Sequence, residues 1–179
     1  RLDAVAGGGA AGDPGRAVRL PVDPAVGAAH IRAMQQDAGI AQATVVLEEE
    51  FGFLEDWRDK VEYLIELGRD LPPLPEALKV DRHKVRGCQS QVWLVAEPEA
   101  GGRLHLRADS DAVLVKGLIS LLLVLYDRRS AAEILANPPE VLERIGLAKL
   151  LTPGRSNGLH AMVARIRAMA EALAAARPG

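Results

Sequence analysis

The sequence predicts an α+β domain in which a small three-stranded antiparallel sheet is packed by helices. Residues 91–96 are β-branched and aromatic, and residues 103–108 alternate polar with apolar side chains. A Gly- and Pro-containing turn separates these two segments, which is typical of an antiparallel hairpin. Segments with a helical hydrophobic period lie on both sides of the hairpin. The length of 179 residues suits one domain of this kind.

Two regions are predicted along the chain, a flexible N-terminal extension over residues 1–43 and a folded domain over residues 44–175. The first thirty residues are rich in Ala, Gly and Pro and show no hydrophobic period. Such a segment buries too little apolar surface to offset the entropy of ordering it. Thr44 is the predicted N-cap of a short first helix over residues 45–51.

The second predicted helix precedes the hairpin and has a clear apolar face. Glu55 and Asp56 favour its start, because acidic groups interact well with the N-terminal end of the helix dipole. Pro72 and Pro73 end it, and Pro75 begins a single short turn over residues 76–79. The residues spaced along one face are Trp57, Val61, Leu64, Ile65 and Gly68.

The remaining elements are predicted around the hairpin. Residues 82–86 provide a candidate third strand. Asp109 or Ser110 is the predicted N-cap of a helix whose residues 113–124 are apolar nearly all round, which indicates a buried central helix. Ser130 and Glu133 form a predicted capping box. Asn137, Pro138 and Glu140 mark another helix start and Gly146 its end, and the last helix is predicted from Leu159, Met162, Val163, Ile166, Met169 and Leu173.

Composition argues against several classes of protein. The formal net charge is −2, from 22 basic and 24 acidic residues, whereas a nucleic-acid-binding protein needs a basic face. The longest apolar run is about half of the roughly 20 residues that span a bilayer, so no membrane segment is predicted. One cysteine forms no intrachain disulfide, which fits a reducing compartment and predicts a cytoplasmic protein. The four histidines lack metal-ligand spacing, so no metal site is expected.

The one cysteine, Cys88, is the candidate reactive group. An isolated cysteine is most often a small buried hydrophobe. Three features favour a functional thiol instead. Cys88 lies where a loop enters a predicted strand, and Gly87 before it allows tight backbone conformations. Positive charge, which favours the thiolate, precedes it at Arg82, His83, Lys84 and Arg86.

Long motifs around this cysteine resemble the SufE family of sulfur-acceptor proteins. They are LEDWRDKVEYLIELGRDLPPLP, RGCQSQVWLV, ADSDAVLVKGLIS, LYDRRSAAEIL and LTPGRSNGLHAM, in that order, and the resemblance runs from about residue 44 to residue 170. It implies a SufE/NifU-like fold. It also implies that Cys88 takes persulfide sulfur from a PLP-dependent cysteine desulfurase, SufS-like or CsdA-like, and stimulates that enzyme. The sulfur then passes to a SufBCD-like cluster scaffold complex.

The resemblance also implies what the chain lacks and which other residues matter. It implies no cofactor or metal of its own, and a sulfur-transfer protein and desulfurase activator rather than a free-standing enzyme. The CsdE branch shares the pattern, and a homodimer stays open. Besides Gly87 and Gln89 in the cysteine loop, Asp111 is implied to influence that loop and the desulfurase interaction.

Two basic residues of the motifs have a possible structural role. Arg155 can place its guanidinium on a partner carboxylate or can belong to loop structure before a helix capped by Ser156. Lys116 is predicted to be a structural lysine that reaches solvent from a buried helix.

Three alternative functions are compatible with the residues. An iron–sulfur scaffold normally needs several thiolates, whereas this chain has one. A non-catalytic adaptor of the same pathway would not need Cys88 at all. A thiol hydrolase would pair Cys88 with a histidine base, but nothing in the spacing selects one of His83, His105 and His160.

Overall fold

The computed structural model describes residues 39–176, and it confirms the predicted α+β class. Three short 3₁₀ turns occur at Glu76–Leu78, Asp81–His83 and Ala100–Gly102. Residues 1–38 of the predicted extension lie outside the described residues. The helices and strands are α1 Ile40–Gly52, α2 Trp57–Arg69, β1 Val92–Glu99, β2 Arg103–Ser110, α3 Val113–Tyr126, β3 Arg129–Ser130, α4 Ala131–Ala136, α5 Glu140–Arg144, α6 Leu147–Leu150 and α7 Pro153–Ala175.

The sheet is three-stranded and antiparallel, in the order β1-β2-β3. The predicted hairpin is confirmed, with Val92 opposite Ser110 at one end of the β1–β2 ladder. The third strand is not where the sequence placed it, because β3 follows α3 instead. Residues 82–86 make one isolated bridge to β1, between Lys84 and Trp93. A 3₁₀ turn at Asp81–His83 occupies the start of that segment and prevents a longer ladder.

The start of α1 corrects the prediction of Thr44 as an N-cap. The helix begins at Ile40, so Thr44 lies inside it. The free N–H of Ile40 donates to Glu133 Oε1 at 3.0 Å, a partner 93 residues away. A residue that is distant in sequence therefore caps this helix, and the local sequence pattern cannot predict such a contact. Half of the predicted capping box is confirmed, because the Ser130 Oγ accepts from the Glu133 N–H at 3.2 Å.

Helix α2 forms as predicted, although one residue of its expected apolar face points outward. Asp56 is the N-cap, and its Oδ1 accepts from the Arg58 N–H at 3.0 Å. Trp57 is 60% exposed, so it does not belong to the buried face. That face is formed by Tyr63, Leu64, Leu67 and Gly68.

Helix α3 is the buried centre of the domain and packs against α2 backbone to backbone. A Cβ added at Gly117 would lie 2.7 Å from the Leu64 carbonyl carbon, and one at Gly68 would lie 2.9 Å from the Gly117 nitrogen. Glycine is therefore required at both positions by close approach. The Ser120 Oγ donates to the Leu67 O at 3.0 Å across the same contact.

The predicted caps of α3 are wrong. Its N-cap is Ala112, and Asp109 and Ser110 instead end strand β2. The Asp109 carboxylate accepts from the Leu74 N–H, and the Ser110 Oγ donates to the Gln91 O.

The C-terminal helices follow the prediction with shifted starts. Asn137 ends α4, and its Nδ2 donates to the Glu133 O at 2.8 Å, whereas α5 begins at Glu140. Gly146 has a φ of 84° and follows the end of α5, as predicted. Helix α7 begins at Pro153, so neither the predicted loop at Arg155 nor the cap at Ser156 is correct. The apolar face is confirmed, with Leu159, Met162, Val163 and Ile166 buried and Met169 and Leu173 partly buried.

Candidate functional site

Cys88 lies in a short loop that is hydrogen-bonded to strand β1 at its start and runs directly into that strand at its end. The Val85 N–H donates to the Val92 O at 2.9 Å, which closes the chain around residues 86–91. Gly87 has a φ of 92°, a conformation that side chains with a Cβ rarely adopt. The sequence therefore forms a tight turn at Cys88. Both predictions are confirmed: Gly87 adopts a conformation that favours glycine, and Cys88 lies where a loop enters a strand.

The Cys88 thiol is half-buried against the first part of helix α7. Its Sγ donates to the Gly158 O at 3.5 Å, a weak hydrogen bond of the length expected for a thiol donor. A Cβ added at Gly158 would lie 3.3 Å from the Sγ, so the absence of a side chain at this position leaves room for the thiol against the helix. Gly154, one turn earlier, leaves room in the same way for the Gln89 side chain.

A small cavity lies beside the thiol. Its volume is about 10 Å³, close to the minimum that accommodates one water molecule. Its walls are mainly apolar, and they come from the cysteine loop, α3 and α7. The residues that line it are Cys88, Gln89, Ser90, Val115, Leu118, Gly154, Arg155, Gly158 and Met162.

Burial raises the pKa of the Cys88 thiol above its ordinary value. Low-polarity surroundings disfavour the charged form, so at neutral pH the resting group is the protonated thiol. The expectation that the preceding basic residues favour the thiolate is therefore wrong for this conformation.

We expect the alkylation rate of Cys88 by iodoacetamide to rise with pH to a midpoint above that of a cysteine peptide measured alongside. Only the thiolate reacts, and burial delays its formation. In denaturant, which removes the burial, the two midpoints should coincide. Equal midpoints for the native protein and the peptide would contradict the proposed burial of the resting thiol.

Asp111 fixes the far end of the cysteine loop. Its Oδ1 accepts from the Gln91 N–H at 2.9 Å, and its own N–H donates to the Gln91 O at 3.3 Å. The Ser110 Oγ donates to the same Gln91 O at 2.7 Å. Asp111 thus contacts the loop that the family resemblance assigned to it, while its effect on a partner stays a prediction.

Arg155 lies in the first turn of α7, where it is exposed and borders the cavity beside Cys88. Gly87, Cys88, Gln89 and Arg155 are therefore brought together, with Asp111 holding the loop from the other end. The expected contact between Arg155 and a partner carboxylate stays a prediction.

A buried charge cluster beneath the site was not predicted. The Asp109 side chain is 2% exposed, and it binds Lys116 Nζ at 3.0 Å and Lys79 Nζ at 3.2 Å. It also accepts from the Ser110 N–H at 2.8 Å and the Leu74 N–H at 3.2 Å. Lys116 therefore forms an ion pair rather than simply reaching solvent.

The protonation of Asp109 is set by two opposing effects. Burial acts to raise the pKa of Asp109, but hydrogen bonds from Lys116, Lys79 and the two backbone N–H groups outweigh it and lower the pKa. Lys79 also lies over the Trp93 ring, 5.8 Å from its centroid. The signal in the sequence is weak: an aspartate at a strand end, with lysines before the strand and after it. Sequence alone does not show which lysines contact the aspartate.

The three candidate histidine bases of a thiol hydrolase are bonded elsewhere. His83 Nδ1 lies 2.7 Å from the Leu78 O, and His160 Nδ1 lies 2.8 Å from the Ser156 O. His105 Nδ1 lies 3.0 Å from Asp127 Oδ1. Among residues 39–176, no histidine hydrogen-bonds to Cys88, so nothing here favours a cysteine–histidine pair.

Residues 39–176 contain neither a metal-binding cluster nor a membrane-spanning helix. They include no group of three or more His, Cys, Asp or Glu side chains placed to hold a metal ion. They also include no helix with both the length and the apolar character that a bilayer span requires.

Comparison with known proteins gives consistent matches. The family model described as SufE, Fe-S metabolism associated domain, matches residues 46–170. An uncharacterised SufE-like protein of Rhizobium etli is 43% identical over 132 residues, which are 72% of this chain and 89% of that protein. The solution structure of a hypothetical protein from Thermus thermophilus matches with a TM-score of 0.60 and 24% identity, over 76% of this chain and 96% of that chain, and it shows the fold alone.

Proposed function

This chain belongs to the SufE family, and from that premise we propose that it carries sulfur on Cys88 between a cysteine desulfurase and an iron–sulfur cluster scaffold. Membership of the family places the chain in iron–sulfur metabolism. The proposal adds the direction of transfer, the residue that accepts the sulfur and stimulation of the desulfurase that donates it.

One observation supports the proposal most directly: the thiol of Cys88 is held in a short loop by a single weak hydrogen bond, with a small cavity beside it. A structural cysteine would be fully packed and inert. Here the sulfur is half-buried, which protects it at rest and leaves it within reach of a partner that displaces the loop.

The transfer step needs only thiol chemistry. The Cys88 thiolate attacks the terminal sulfur of the desulfurase persulfide, as in thiol–disulfide exchange. A new S–S bond forms on Cys88, the S–S bond on the desulfurase breaks, and the desulfurase cysteine leaves as a thiolate. The transferred sulfur keeps its proton, so no oxidant, reductant, metal or cofactor is consumed by this chain.

Because the resting group is a protonated thiol, docking must also lead to loss of the Cys88 proton. Moving the loop away from α7 exposes the sulfur and removes the cause of its raised pKa. The same burial would shelter the persulfide product, which is easily oxidised. The chain would therefore act as a co-substrate and activator of the desulfurase, and the next acceptor would be the scaffold.

Intact mass spectrometry tests the proposal. After incubation with an active SufS-like desulfurase of the same genome, PLP and cysteine, without reductant, we expect wild type to gain about 32 Da for each sulfur atom bound. The variants Cys88→Ser and Cys88→Ala should gain nothing while keeping the circular dichroism spectrum of wild type. Wild type alkylated beforehand with iodoacetamide serves as a second control. No gain by wild type, with a desulfurase shown to bind it, would overturn the proposal.

A further inference from the structure

The loop that carries Cys88 runs beside helix α7. The Arg165 Nη2 donates to the Arg82 O at 3.2 Å, which holds the 3₁₀ turn before the loop near the middle of the helix. Further along the loop, the Cys88 Sγ reaches the Gly158 O at 3.5 Å. The loop and α7 therefore run antiparallel and form one continuous surface around the thiol.

Four exposed arginines flank the thiol on this surface, and we call them the basic strip. Arg82 belongs to the 3₁₀ turn before the loop, Arg86 belongs to the loop, and Arg155 and Arg165 belong to α7. Within residues 39–176, none of the four forms a salt bridge. The two segments that build the surface, residues 82–91 and residues 153–170, contain no Asp or Glu. In a chain with more acidic than basic residues, this concentration of positive charge is local.

Three acidic residues adjoin this surface, Asp81, Asp111 and Glu171, and within residues 39–176 none of them forms a salt bridge with the strip. Asp81 lies 4.0 Å from Lys84, with which it pairs at the surface. The Asp111 carboxylate accepts from the Gln91 N–H at the far end of the loop. The strip thus presents uncompensated positive charge on both sides of Cys88.

The position of the thiol decides what must cover the strip. A sulfur donor has to reach bonding distance of a half-buried Sγ, so its surface must lie over the loop and over α7. Covering four guanidinium groups with apolar or basic surface would remove their hydration without replacement. Carboxylates would replace the hydration with charge-assisted hydrogen bonds, and would steer the two proteins together from a distance.

We infer that the basic strip is the docking surface for an acidic face around the active site of the sulfur-donating cysteine desulfurase. This inference rests on the proposed function, and it adds the chemistry of the partner surface and the residues that recognise it. It predicts an electrostatic contribution to association that is separate from the sulfur transfer itself.

The test compares two charge-matched double variants of the full chain. Arg82→Gln and Arg86→Gln remove charge from the strip and leave Arg155 and the anchoring Arg165 in place. The control variant carries Arg58→Gln and Arg103→Gln, which lie on α2 and at the start of β2. Association with the SufS-like desulfurase of the same genome is followed by stopped flow at about 50 mM and about 300 mM NaCl, because salt screens such attraction.

We expect the strip variant to associate about tenfold more slowly than wild type at the lower salt concentration, with a weaker dependence on salt. The control variant should stay within about twofold of wild type. Equal rates for the strip variant and wild type, or equal losses in the two variants, would overturn the inference. Two further outcomes would overturn it. One is that wild type binds a DNA duplex but not the desulfurase. The other is that the strip variant alone changes its oligomeric state.

The same samples separate this inference from the proposed function. At a saturating desulfurase concentration, the strip variant should still gain sulfur on Cys88. If it gains sulfur and also associates at the wild-type rate, the carrier function stands and the docking inference fails. If wild type binds with a clear salt dependence but never gains sulfur, the carrier function fails instead.

Discussion

Replacing Gly117 with alanine is expected to lower the free energy of unfolding by about 3 kcal/mol, because the added methyl group would lie against backbone that cannot move aside. The new Cβ would lie 2.7 Å from the Leu64 carbonyl carbon, and it would push directly on the carbonyl oxygen of that residue. Relief requires α2 to move away from α3, which would also stretch the hydrogen bond between Ser120 and the Leu67 O. Urea denaturation followed by circular dichroism measures the change.

Gly52→Ala is the matched control for this experiment. It lies at the end of α1, and an added Cβ there would meet nothing within 4 Å. Its effect should stay within about 0.5 kcal/mol of wild type. If Gly117→Ala unfolds at the same urea concentration as Gly52→Ala, the close backbone contact between the two helices is not present in solution.

The variant Asp109→Asn is expected to cost about 3 kcal/mol, since it removes the buried charge that two lysines and two backbone N–H groups share. Lys116 and Lys79 would lose their common partner, and one amide oxygen cannot accept from both Leu74 and Ser110 as the carboxylate does. Because Ser110 and the neighbouring Asp111 hold the cysteine loop, the alkylation rate of Cys88 should rise in the same variant.

The pH dependence gives this prediction a second measurement. The pKa of Asp109 is lowered in the folded state, so its carboxylate stabilises the fold above the unfolded-state pKa of about 3.9. That stabilisation is lost as the pH falls through the lower folded-state pKa. The stability difference between wild type and Asp109→Asn should therefore shrink in acid.

Asp81→Asn, which disrupts only an exposed pair with Lys84, should show little effect at any pH. An Asp109→Asn variant as stable as Asp81→Asn at neutral pH would show that the buried cluster does not hold the sheet to the segment before it.

Sequence predicted the parts of this fold that depend on periodicity. The hairpin, the buried face of α7 and the central apolar helix each repeat a pattern over eight or more residues, and such patterns reflect burial directly. The loop around Cys88 was also predictable, because Gly87 and the adjoining strand lie next to the cysteine in sequence. These features need no knowledge of distant residues.

Several features that sequence missed depend on partners far along the chain or are too short to form a pattern. Glu133 caps α1 from 93 residues away, and strand β3 has only two residues, too few for any pattern. Asp109 was expected to cap a helix from its local position, yet it binds Lys79 and Leu74, which are brought there by tertiary packing. The raised pKa of Cys88 is a similar case, because its cause is burial against α7, a helix about 70 residues further along the chain.

The attachment of the cysteine loop at both ends limits how far its sulfur can travel. Val85 and Gln91 are each hydrogen-bonded to fixed backbone or side chains, and only the five residues between them can move. Cys88 therefore cannot move between two separate binding sites, as it could at the end of a long flexible segment. If it carries sulfur, the protein that delivers the sulfur and the protein that receives it must occupy the same face in turn. Their binding to this chain should therefore be competitive, and each handover must wait for the previous partner to leave.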